Sequence, residues 1–295
     1  MAIRRVLVTG AAGLLGGRVA ALLARRFDTV AARHTAEPPP GIASVDLDLL
    51  DPASLVAALE RARPDAVVHC AAQGNPDRCE REPRVAERLN VEATLQLARA
   101  CGTRGLRLAS LSTDLVFAGD RSFAREEDPP GPPLVYGRTK LAGEDAVLAE
   151  APGAAVLRLA LVAGRGYGAK ATSTEAVAWA LRAGRPLRLY TDQFRTPVDS
   201  DSVAEAVARA LERPVSGLFH LGGPERLSRY ELGLRVARVL GLSDEGIVPV
   251  TVAEMPQEAR RPADTSLDSS RARRELGWEP RGLTETIRDG RPAPG

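Results

Sequence analysis

The chain has 295 residues, of which 44% are hydrophobic and 26% are charged, the composition of an ordinary soluble globular protein with a large core. Its formal net charge of +2 comes with arginines scattered along the chain, so no basic block for nucleic acid is present. The three cysteines lack metal-like spacing and cannot all pair, so we expect no metal site and a reduced, cytoplasmic setting. We find no signal-peptide pattern and no long apolar stretch, and therefore expect no membrane contact.

Strand and helix patterns alternate through the first half of the chain. The run from Val6 to Thr9 is continuously apolar, as in a strand buried on both faces, and a helical pattern continues from Leu14 to Arg26. Further strands are predicted at 29–32, 43–49, 65–72 and 106–113, and further helices at 51–62 and 83–101. This alternation predicts an α/β fold with a doubly wound parallel sheet, whose ligands bind at the carboxyl ends of the strands.

The turn after the first strand carries glycines in the spacing Gly-x-x-Gly-x-x-Gly. Glycine lets the backbone turn sharply and approach a pyrophosphate, which binds at the positive end of the following helix. A tight turn without a ligand is the alternative, but the strand, turn and helix context favours a dinucleotide site. We expect its contacts to come from Gly10, Ala12, Gly13, Leu14, Leu15 and Gly16.

The ends of the second and fourth strands are the next expected contacts. Arg33 ends the second strand, where an acidic residue would favour NAD and an arginine can hold the 2′-phosphate of NADPH. Since no acid stands at this point, we predict NADPH, with NADH as the alternative cofactor. Ala71 and Ala72 end the fourth strand, and their small side chains would let a cofactor lie against the backbone. A solvated charge at Arg33 and simple close packing at the alanines are the other interpretations.

Tyr136 and Lys140 lie four residues apart in a helix-compatible stretch that follows a proline-rich loop ending at Pro133. Residues with this spacing share one face of a helix. A free phenol has a pKa of about 10, and a neighbouring ammonium favours the phenolate. The pair therefore predicts a tyrosine acid or base with a lowered pKa, against the alternative of an incidental surface pair.

The second half predicts strands at 155–162, 186–190 and 217–221, and helices at 172–183, 202–212, 228–240 and 269–276. His220 is expected to be a packed core histidine, and residues 292–295 a frayed tail. Arg195, in a loop at 191–197, and Arg261 are candidates for binding a substrate phosphate, because guanidinium pairs with phosphate in a bidentate way. A loop salt bridge at Arg195 and a solvated charge at Arg261 are the alternatives.

The chain resembles the extended short-chain dehydrogenases/reductases, especially the dTDP-4-dehydrorhamnose reductase branch. The matching stretches are Thr9–Gly16, Ser112–Gly119, Tyr136–Glu144, Asp192–Pro197 and Leu276–Pro280, which together span nearly the whole chain. The resemblance implies a Rossmann-type NAD(P)-binding domain at 1–163 and a smaller substrate-binding region at 164–295, interleaved with the sheet. The glycine-rich segment 163–168 departs from the branch, whose members usually carry an aromatic-rich segment there, and this leaves the exact substrate open.

The resemblance also implies roles for individual residues. Thr113 would hydrogen-bond the substrate oxygen, and Tyr136 would give a proton to the carbonyl as hydride arrives from the nicotinamide. Lys140 would hold the nicotinamide ribose and lower the pKa of the tyrosine. Further cofactor contacts are implied at Asp48, Leu49, Ala71, Ala72, Gln73 and Asn90, with Thr113, Arg195 and Arg261 on the substrate side.

The resulting prediction is a cytoplasmic, NADPH-preferring reductase of a nucleotide-activated 4-keto-6-deoxysugar, as in dTDP-rhamnose biosynthesis, with a homodimer as one assembly. Three other functions remain open. The first is a non-catalytic NADP-binding regulatory protein, such as the regulatory subunit of methionine adenosyltransferase, against which the complete Thr113, Tyr136 and Lys140 set counts. The second is a nucleotide-sugar epimerase or dehydratase, which usually needs an acid at the end of the second strand. The third is a reductase of a natural-product ketone unrelated to sugars.

Overall fold

The computed structural model describes residues 3–255 and 257–290, so the predicted frayed tail lies outside the described residues. Seven of the strands within these ranges form the central sheet: β1 (Arg5–Thr9), β2 (Asp28–Arg33), β3 (Ala43–Asp46), β4 (Ala66–His69), β5 (Arg107–Thr113), β6 (Ala155–Leu159) and β11 (Gly217–Leu221). Their order is β11-β6-β5-β4-β1-β2-β3, and every neighbouring pair is parallel. The predicted α/β fold with a doubly wound parallel sheet is therefore confirmed.

Some helices cover both faces of this sheet, and others build the smaller core described below. They are α1 (Leu14–Leu23), α2 (Pro52–Ala62), α3 (Pro76–Arg81), α4 (Pro83–Glu87), α5 (Ala93–Arg104), α6 (Val135–Glu150), α7 (Ser173–Arg182), α8 (Ser200–Glu212), α9 (Arg229–Leu240), α10 (Ser270–Leu276) and α11 (Leu283–Arg288). Val6 and Val8 of β1 pack with α1 and α8 on one face, whereas Leu7 packs with α2, α5 and α6 on the other. Because β1 is buried on both faces, its sequence is continuously apolar rather than alternating.

The second half of the chain adds a smaller core next to the sheet. Three short strand pairs frame it: β7 (Val162–Ala163) with β10 (Val198–Asp199), β8 (Leu187–Tyr190) with β13 (Ile247–Val250), and β9 (Phe194–Arg195) with β12 (Leu227–Ser228). Apolar residues of α7, α9 and α11 fill this core. Since β11 and α8 return to the first sheet, the two halves are interleaved, and the boundary between 1–163 and 164–295 stays a proposal.

Several predicted bounds differ from the structure. The helix predicted at 83–101 is present as an uninterrupted helical run, but it contains a π turn at Arg88–Glu92 between α4 and α5 and continues to Arg104. The strand predicted at 155–162 ends at Leu159, and the chain then turns so that β7 can pair with β10. The first helix ends at Leu23 rather than Arg26, and the fourth strand ends at His69 rather than at residue 72. Helices α3 and α11 and strands β10, β12 and β13 had no prediction, and β9 lies within the stretch 191–197 that was predicted as a loop.

Local signals worked best at helix ends. Asp51 accepts a hydrogen bond from the Ala53 amide at the start of α2, where the helix predicted at 51–62 begins. Ser228 and Glu231 form a reciprocal capping box at the start of α9, and Gly241 ends that helix with a φ of 63°. These caps place residue 229 in the first turn of α9, a position that matters for the substrate cavity described below.

Candidate active site

The glycine-rich turn is pressed against the end of β4. Gly10 has a φ of +67°, and a β-carbon there would lie 2.7 Å from the Ala71 amide nitrogen. A β-carbon on Gly16 would lie 2.2 Å from the Gly10 carbonyl oxygen, so both positions exclude any side chain. Gly13 is the N-cap of α1 and offers its first-turn N–H groups no side-chain acceptor. This cradle of bare backbone fits the pyrophosphate of a dinucleotide.

A segment that was not predicted to contact the cofactor cleft covers the first turn of α1. The Tyr167 amide donates to the Leu14 carbonyl at 2.8 Å. The Tyr167 ring lies so close to Gly17 that a β-carbon there would be 2.2 Å from its Cδ1 atom. The glycine-rich segment 163–168, which departs from the family pattern, therefore packs on α1, the helix that follows the glycine-rich turn. The extra glycine after Gly16 was the available sequence signal.

Arg33 lies at the end of β2, as predicted, but carboxylates surround its guanidinium. Its Nη2 is 2.7 Å from Asp46 Oδ1, and its Nη1 is 3.3 Å from Glu37 Oε1. Both raise the pKa of the arginine, Asp46 most strongly. Asp46 is the register partner of Arg33 on the neighbouring strand β3. No acidic residue is adjacent to Arg33 in the sequence, but two carboxylates lie next to its guanidinium in the folded structure.

The residues after β3 and β4 take the expected positions at the carboxyl edge of the sheet. Asp48 follows β3 and accepts a hydrogen bond from the Leu50 amide at 2.9 Å. Gln73, in the loop after β4, is bound through its backbone by the buried Asn90, whose Oδ1 accepts from the Gln73 amide at 2.8 Å. The Asn90 amide group donates to the Gln73 carbonyl at 3.3 Å and to Thr139 Oγ1 at 3.0 Å. Asn90 thus ties this loop to α6 with both of its amide hydrogens.

Thr113 and Tyr136 meet at the end of β5. The Thr113 hydroxyl donates to Asp114 Oδ1 at 3.1 Å and accepts from the Leu115 amide at 3.2 Å. Burial raises the pKa of the Tyr136 phenol above its usual value, and the Asp114 carboxylate raises it further, while the neighbouring Thr113 hydroxyl partly offsets this. The phenol is therefore fully protonated at neutral pH.

The predicted lowering of the tyrosine pKa by Lys140 is wrong in this structure. The Lys140 ammonium is buried and donates to the Leu111 carbonyl of β5 at 2.8 Å. Burial lowers the pKa of Lys140, and the Glu144 carboxylate partly offsets that effect. Helical spacing placed both side chains on α6 correctly, but it could not predict that the ammonium turns toward the sheet.

A cavity of about 420 Å³ adjoins the Thr113 end of β5. Its lining joins both halves of the chain: Pro76, Asp114, Leu115, Leu161, Tyr190, Gln193, Arg195, Arg229, Gln257 and Arg261. Both arginines predicted from the sequence are among these residues. Since Asp114 follows Thr113 directly, the cavity and the Thr113–Tyr136 pair share one edge of the sheet.

The two predicted arginines each have an internal carboxylate. Arg195 is buried, and its Nε lies 3.5 Å from Asp114 Oδ2, while Nη2 donates to the Pro262 carbonyl at 3.1 Å. Arg261 Nη2 lies 2.8 Å from Asp77 Oδ2. The loop salt bridge that was the alternative for Arg195 is therefore present, although the residue also lines the cavity.

Arg229 and Gln193 were missed, and both bring a buried donor without a protein partner. Arg229 Nη1 and Gln193 Nε2 have no hydrogen-bond partner among the described residues. Burial, together with the positive charges of Arg195 and Arg261, lowers the pKa of Arg229 to about 10. Because both residues line the cavity, a ligand with acceptor oxygens there would satisfy these two donors. The helix predicted at 228–240 was the signal that placed Arg229 in a helix's first turn.

Other chemistry finds less support in the described residues. Cys70, Cys79 and Cys101 are free thiols, and burial raises the pKa of Cys70 and Cys101 to about 12 and of Cys79 to about 11. Within the described ranges no three side chains of His, Cys, Asp or Glu come together as metal ligands would. No helix in the same ranges is both long and apolar enough to cross a membrane.

Comparison with known proteins agrees with the resemblance. Residues 4–290 match the model of the RmlD substrate binding domain. A probable low-salt glycan biosynthesis reductase, Agl14, from Haloferax volcanii is 34% identical over 92% of this chain and 91% of its own length. Methionine adenosyltransferase 2 subunit beta from Danio rerio is 32% identical over 91% of this chain and 84% of its own length.

Solved structures give the same result at the level of the fold. A hypothetical dTDP-4-dehydrorhamnose reductase from Sulfolobus tokodaii superimposes with a TM-score of 0.86 at 30% identity, covering 97% of this chain and 99% of its own. A Bacillus anthracis dTDP-4-dehydrorhamnose reductase in complex with NADP also has a TM-score of 0.86, at 23% identity and 98% coverage of both chains. The Bordetella bronchiseptica enzyme WbmG, in complex with NAD, has a TM-score of 0.83 at 24% identity, covering 98% of this chain and 93% of its own. By sequence and fold, the chain belongs to the RmlD substrate-binding-domain family of extended short-chain dehydrogenases/reductases.

Proposed function

We propose that the protein reduces the ketone of a nucleotide-activated 4-keto-6-deoxysugar, with NADPH as the preferred cofactor. The observation that carries this proposal is the pair of unpartnered donors, Arg229 Nη1 and Gln193 Nε2, in a cavity next to the Thr113–Tyr136 pair. A substrate with several anionic and hydroxyl oxygens would satisfy both donors. The names of the similar proteins, a glycan biosynthesis reductase and dTDP-4-dehydrorhamnose reductases, support the same substrate class.

The cofactor would occupy the carboxyl edge of the sheet. The backbone from Gly10 to Gly16 fits its pyrophosphate, Arg33 would meet the 2′-phosphate, and Lys140 would hold the nicotinamide ribose. Asp48, Leu49, Ala71 and Ala72 would line the adenine and inner sides, while Asn90 positions the loop of Gln73. When bound, the reduced nicotinamide supplies the hydride.

Proton delivery is the task of Tyr136. Because its pKa is raised by burial and by Asp114, the phenol keeps its proton at neutral pH and can give it to the carbonyl oxygen as the hydride arrives. Thr113, at the end of β5, would orient the same oxygen. Donation leaves a phenolate near the Asp114 carboxylate, which is unfavourable without a cation. Lys140, one helical turn along α6, is the cation available for that moment.

The substrate phosphates would bind to the arginines of the cavity. Arg195 and Arg261 are balanced by Asp114 and Asp77, respectively, whereas no described carboxylate pairs with Arg229. A phosphate dianion would offset this surplus charge and accept from the free Nη1. Arg229 is therefore the proposed centre of phosphate binding, with Arg195 and Arg261 beside it. The homodimer and the cytoplasmic location stay predictions.

One alternative has an observation in its favour. Relatives named methionine adenosyltransferase 2 subunit beta are 32–33% identical to this chain, nearly as similar as the named reductase at 34%. A regulatory subunit would bind the cofactor without reducing a ketone. Measuring ketone reduction therefore distinguishes the two functions, whereas measuring cofactor binding does not.

The test is NADPH oxidation with dTDP-, UDP- and GDP-linked 4-keto-6-deoxysugars and with a ketone that lacks phosphate. We expect oxidation with at least one nucleotide-linked ketone, faster than with the phosphate-free one, and little with Tyr136→Phe. NADPH binding without oxidation of any ketone would contradict the reductase and favour the regulatory function.

A further inference from the structure

A buried ion pair lies on the catalytic helix next to Lys140 and has no part in the proposed reaction. Glu144 and Arg158 have side chains that are each only 3% exposed. Arg158 Nη2 lies 2.7 Å from Glu144 Oε2, and Arg158 Nε lies 3.1 Å from both carboxylate oxygens. Ser112 of β5 also donates to Glu144 Oε1. The carboxylate is thus held by two strands of the sheet at once.

Glu144 continues the row formed by Tyr136 and Lys140. The three residues are spaced by four along α6, so they lie on one side of the helix, each a turn from the next. Small residues let this helix approach its neighbours closely: a β-carbon on Gly143 would lie 2.4 Å from the Asn90 carbonyl oxygen. Burying an ion pair in such close packing is often no more stabilising than burying an apolar pair. Stability alone is therefore a poor reason for this pair.

Lys140 is the ionisable group whose charge the Glu144 carboxylate can stabilise. Its ammonium is buried against the Leu111 carbonyl, and burial lowers its pKa while Glu144 raises it. Cys70 and His69, at the end of β4, are the other titratable groups that interact electrostatically with Lys140. Burial raises the pKa of Cys70 to about 12 and lowers that of His69 to about 3, so both are neutral near pH 7. Glu144 is thus the described carboxylate that raises the pKa of this lysine.

We propose that Glu144 is a positioning residue that favours the charged form of Lys140 across one turn of α6, with Arg158 and Ser112 holding the carboxylate in place. His220 supports Arg158 from β11, since its Nε2 lies 3.4 Å from Arg158 Nη1. Burial lowers the pKa of His220 to about 3, so this ring adds no charge near pH 7. The catalytic consequence rests on the proposed function, but the effect on Lys140 itself does not.

The chain offers an unusually direct readout, because its only lysines are Lys140 and Lys170. Protein labelled with ¹³C and ¹⁵N in lysine would show two side-chain ammonium signals, which Lys170→Arg assigns. The pKa of Lys140 is then followed by NMR against pH in the wild type and in Glu144→Gln. Glu150→Gln is the matched control, because it removes a carboxylate from the last turn of the same helix, where it pairs with Arg99.

We expect the Lys140 pKa to fall in Glu144→Gln and to stay unchanged in Glu150→Gln. Glu144→Asp should recover part of the loss. If Glu144→Gln does not fold, the double variant Glu144→Gln/Arg158→Gln leaves no cation stranded, and it should again show a lowered Lys140 pKa. A Lys140 pKa that is the same in these variants as in the wild type would overturn the proposal.

A second readout connects the pair to turnover. On a ketone that the wild type reduces, Glu144→Gln should move the alkaline limb of the kcat profile to lower pH, in parallel with the Lys140 pKa. A merely structural role would lower activity without moving that limb, and this result would also overturn the proposal. An intact Lys140 shift together with no reduction of any ketone would instead remove the reductase function, so the two failures are distinguishable.

Discussion

The cofactor cradle and the substrate cavity are built in opposite ways, although both lie at the carboxyl edge of the sheet. The cradle comes from one continuous stretch, residues 9–16, and its contacts are backbone atoms. The cavity draws four charged side chains, Asp114, Arg195, Arg229 and Arg261, from four distant segments. The backbone cradle has no room for added side-chain atoms. Ligand binding in the cavity depends instead on how many of its charged side chains are already paired.

Tyr136→Phe has the largest expected effect because it removes the proposed proton donor. Removing the phenolic proton should lower kcat for ketone reduction by about 10²- to 10⁴-fold, the usual contribution of a positioned general acid. NADPH affinity should stay near the wild-type value, as measured by fluorescence titration. A variant that retains its kcat would show that the proton comes from elsewhere.

Gly10→Ala tests the backbone character of the cradle. Gly10 and Gly105 have almost the same φ, +67° and +65°, but only Gly10 has backbone atoms within 3 Å of an added β-carbon. Gly105→Ala should therefore cost about 1–2 kcal/mol of unfolding free energy for the left-handed conformation alone. Gly10→Ala should cost about 1–3 kcal/mol more from overpacking, and should also weaken NADPH binding. The measurement is urea denaturation of both variants, and equal losses would contradict the crowding at Gly10.

Arg229→Met tests the charge surplus in the cavity. It removes the guanidinium but keeps the apolar stem, and should raise KM for a nucleotide-linked ketone by about 10- to 100-fold, the value of a hydrogen bond to a charged group. The phosphate-free ketone and NADPH should be unaffected, and stability should not fall, because no protein acceptor loses its partner. Arg238→Met, on the exposed side of the same helix, is the control. Equal KM changes for both ketones would remove the phosphate contact.

Arg33→Ala has the smallest expected effect, because Asp46 and Glu37 already balance this exposed guanidinium. The ratio of kcat/KM for NADPH over NADH should fall only a few-fold, about tenfold at most. Asp46→Asn should raise the same ratio by freeing the arginine for a 2′-phosphate. A preference for NADH in the wild type, unchanged by either variant, would remove the role of Arg33.

The comparison also explains what could be predicted from the sequence. Gly10, Gly13 and Gly16 follow a strand and open a helix, and the reason for each glycine is local, so the cradle was predictable. The spacing of Tyr136 and Lys140 is local as well, and both lie on α6 as expected. The alternation of strands and helices was enough for the parallel sheet, because that pattern has few other solutions.

The misses share a different physical origin. Asp46 contacts Arg33 from the neighbouring strand, and Tyr167 packs on Gly17 from the other half of the chain. Arg229 could be recognised as a candidate only from its unpartnered donor in the cavity. The direction of the Tyr136 pKa was missed for the same reason, since burial and Asp114 outweigh a lysine that faces the sheet. Burial and contacts between residues distant in sequence cannot be predicted from residue spacing alone.

The most direct test of the central claim follows the hydride itself. NADPH carrying deuterium at C4 of the nicotinamide, prepared in both stereochemical forms, is incubated with a dTDP-linked 4-keto-6-deoxysugar, and the product is analysed by mass spectrometry and NMR. With the wild type, we expect deuterium at the former carbonyl carbon of the sugar from one of the two stereochemical forms of NADPH. With Tyr136→Phe we expect almost none. Tight NADPH binding with no deuterium in this sugar or in its UDP- and GDP-linked counterparts would contradict the account.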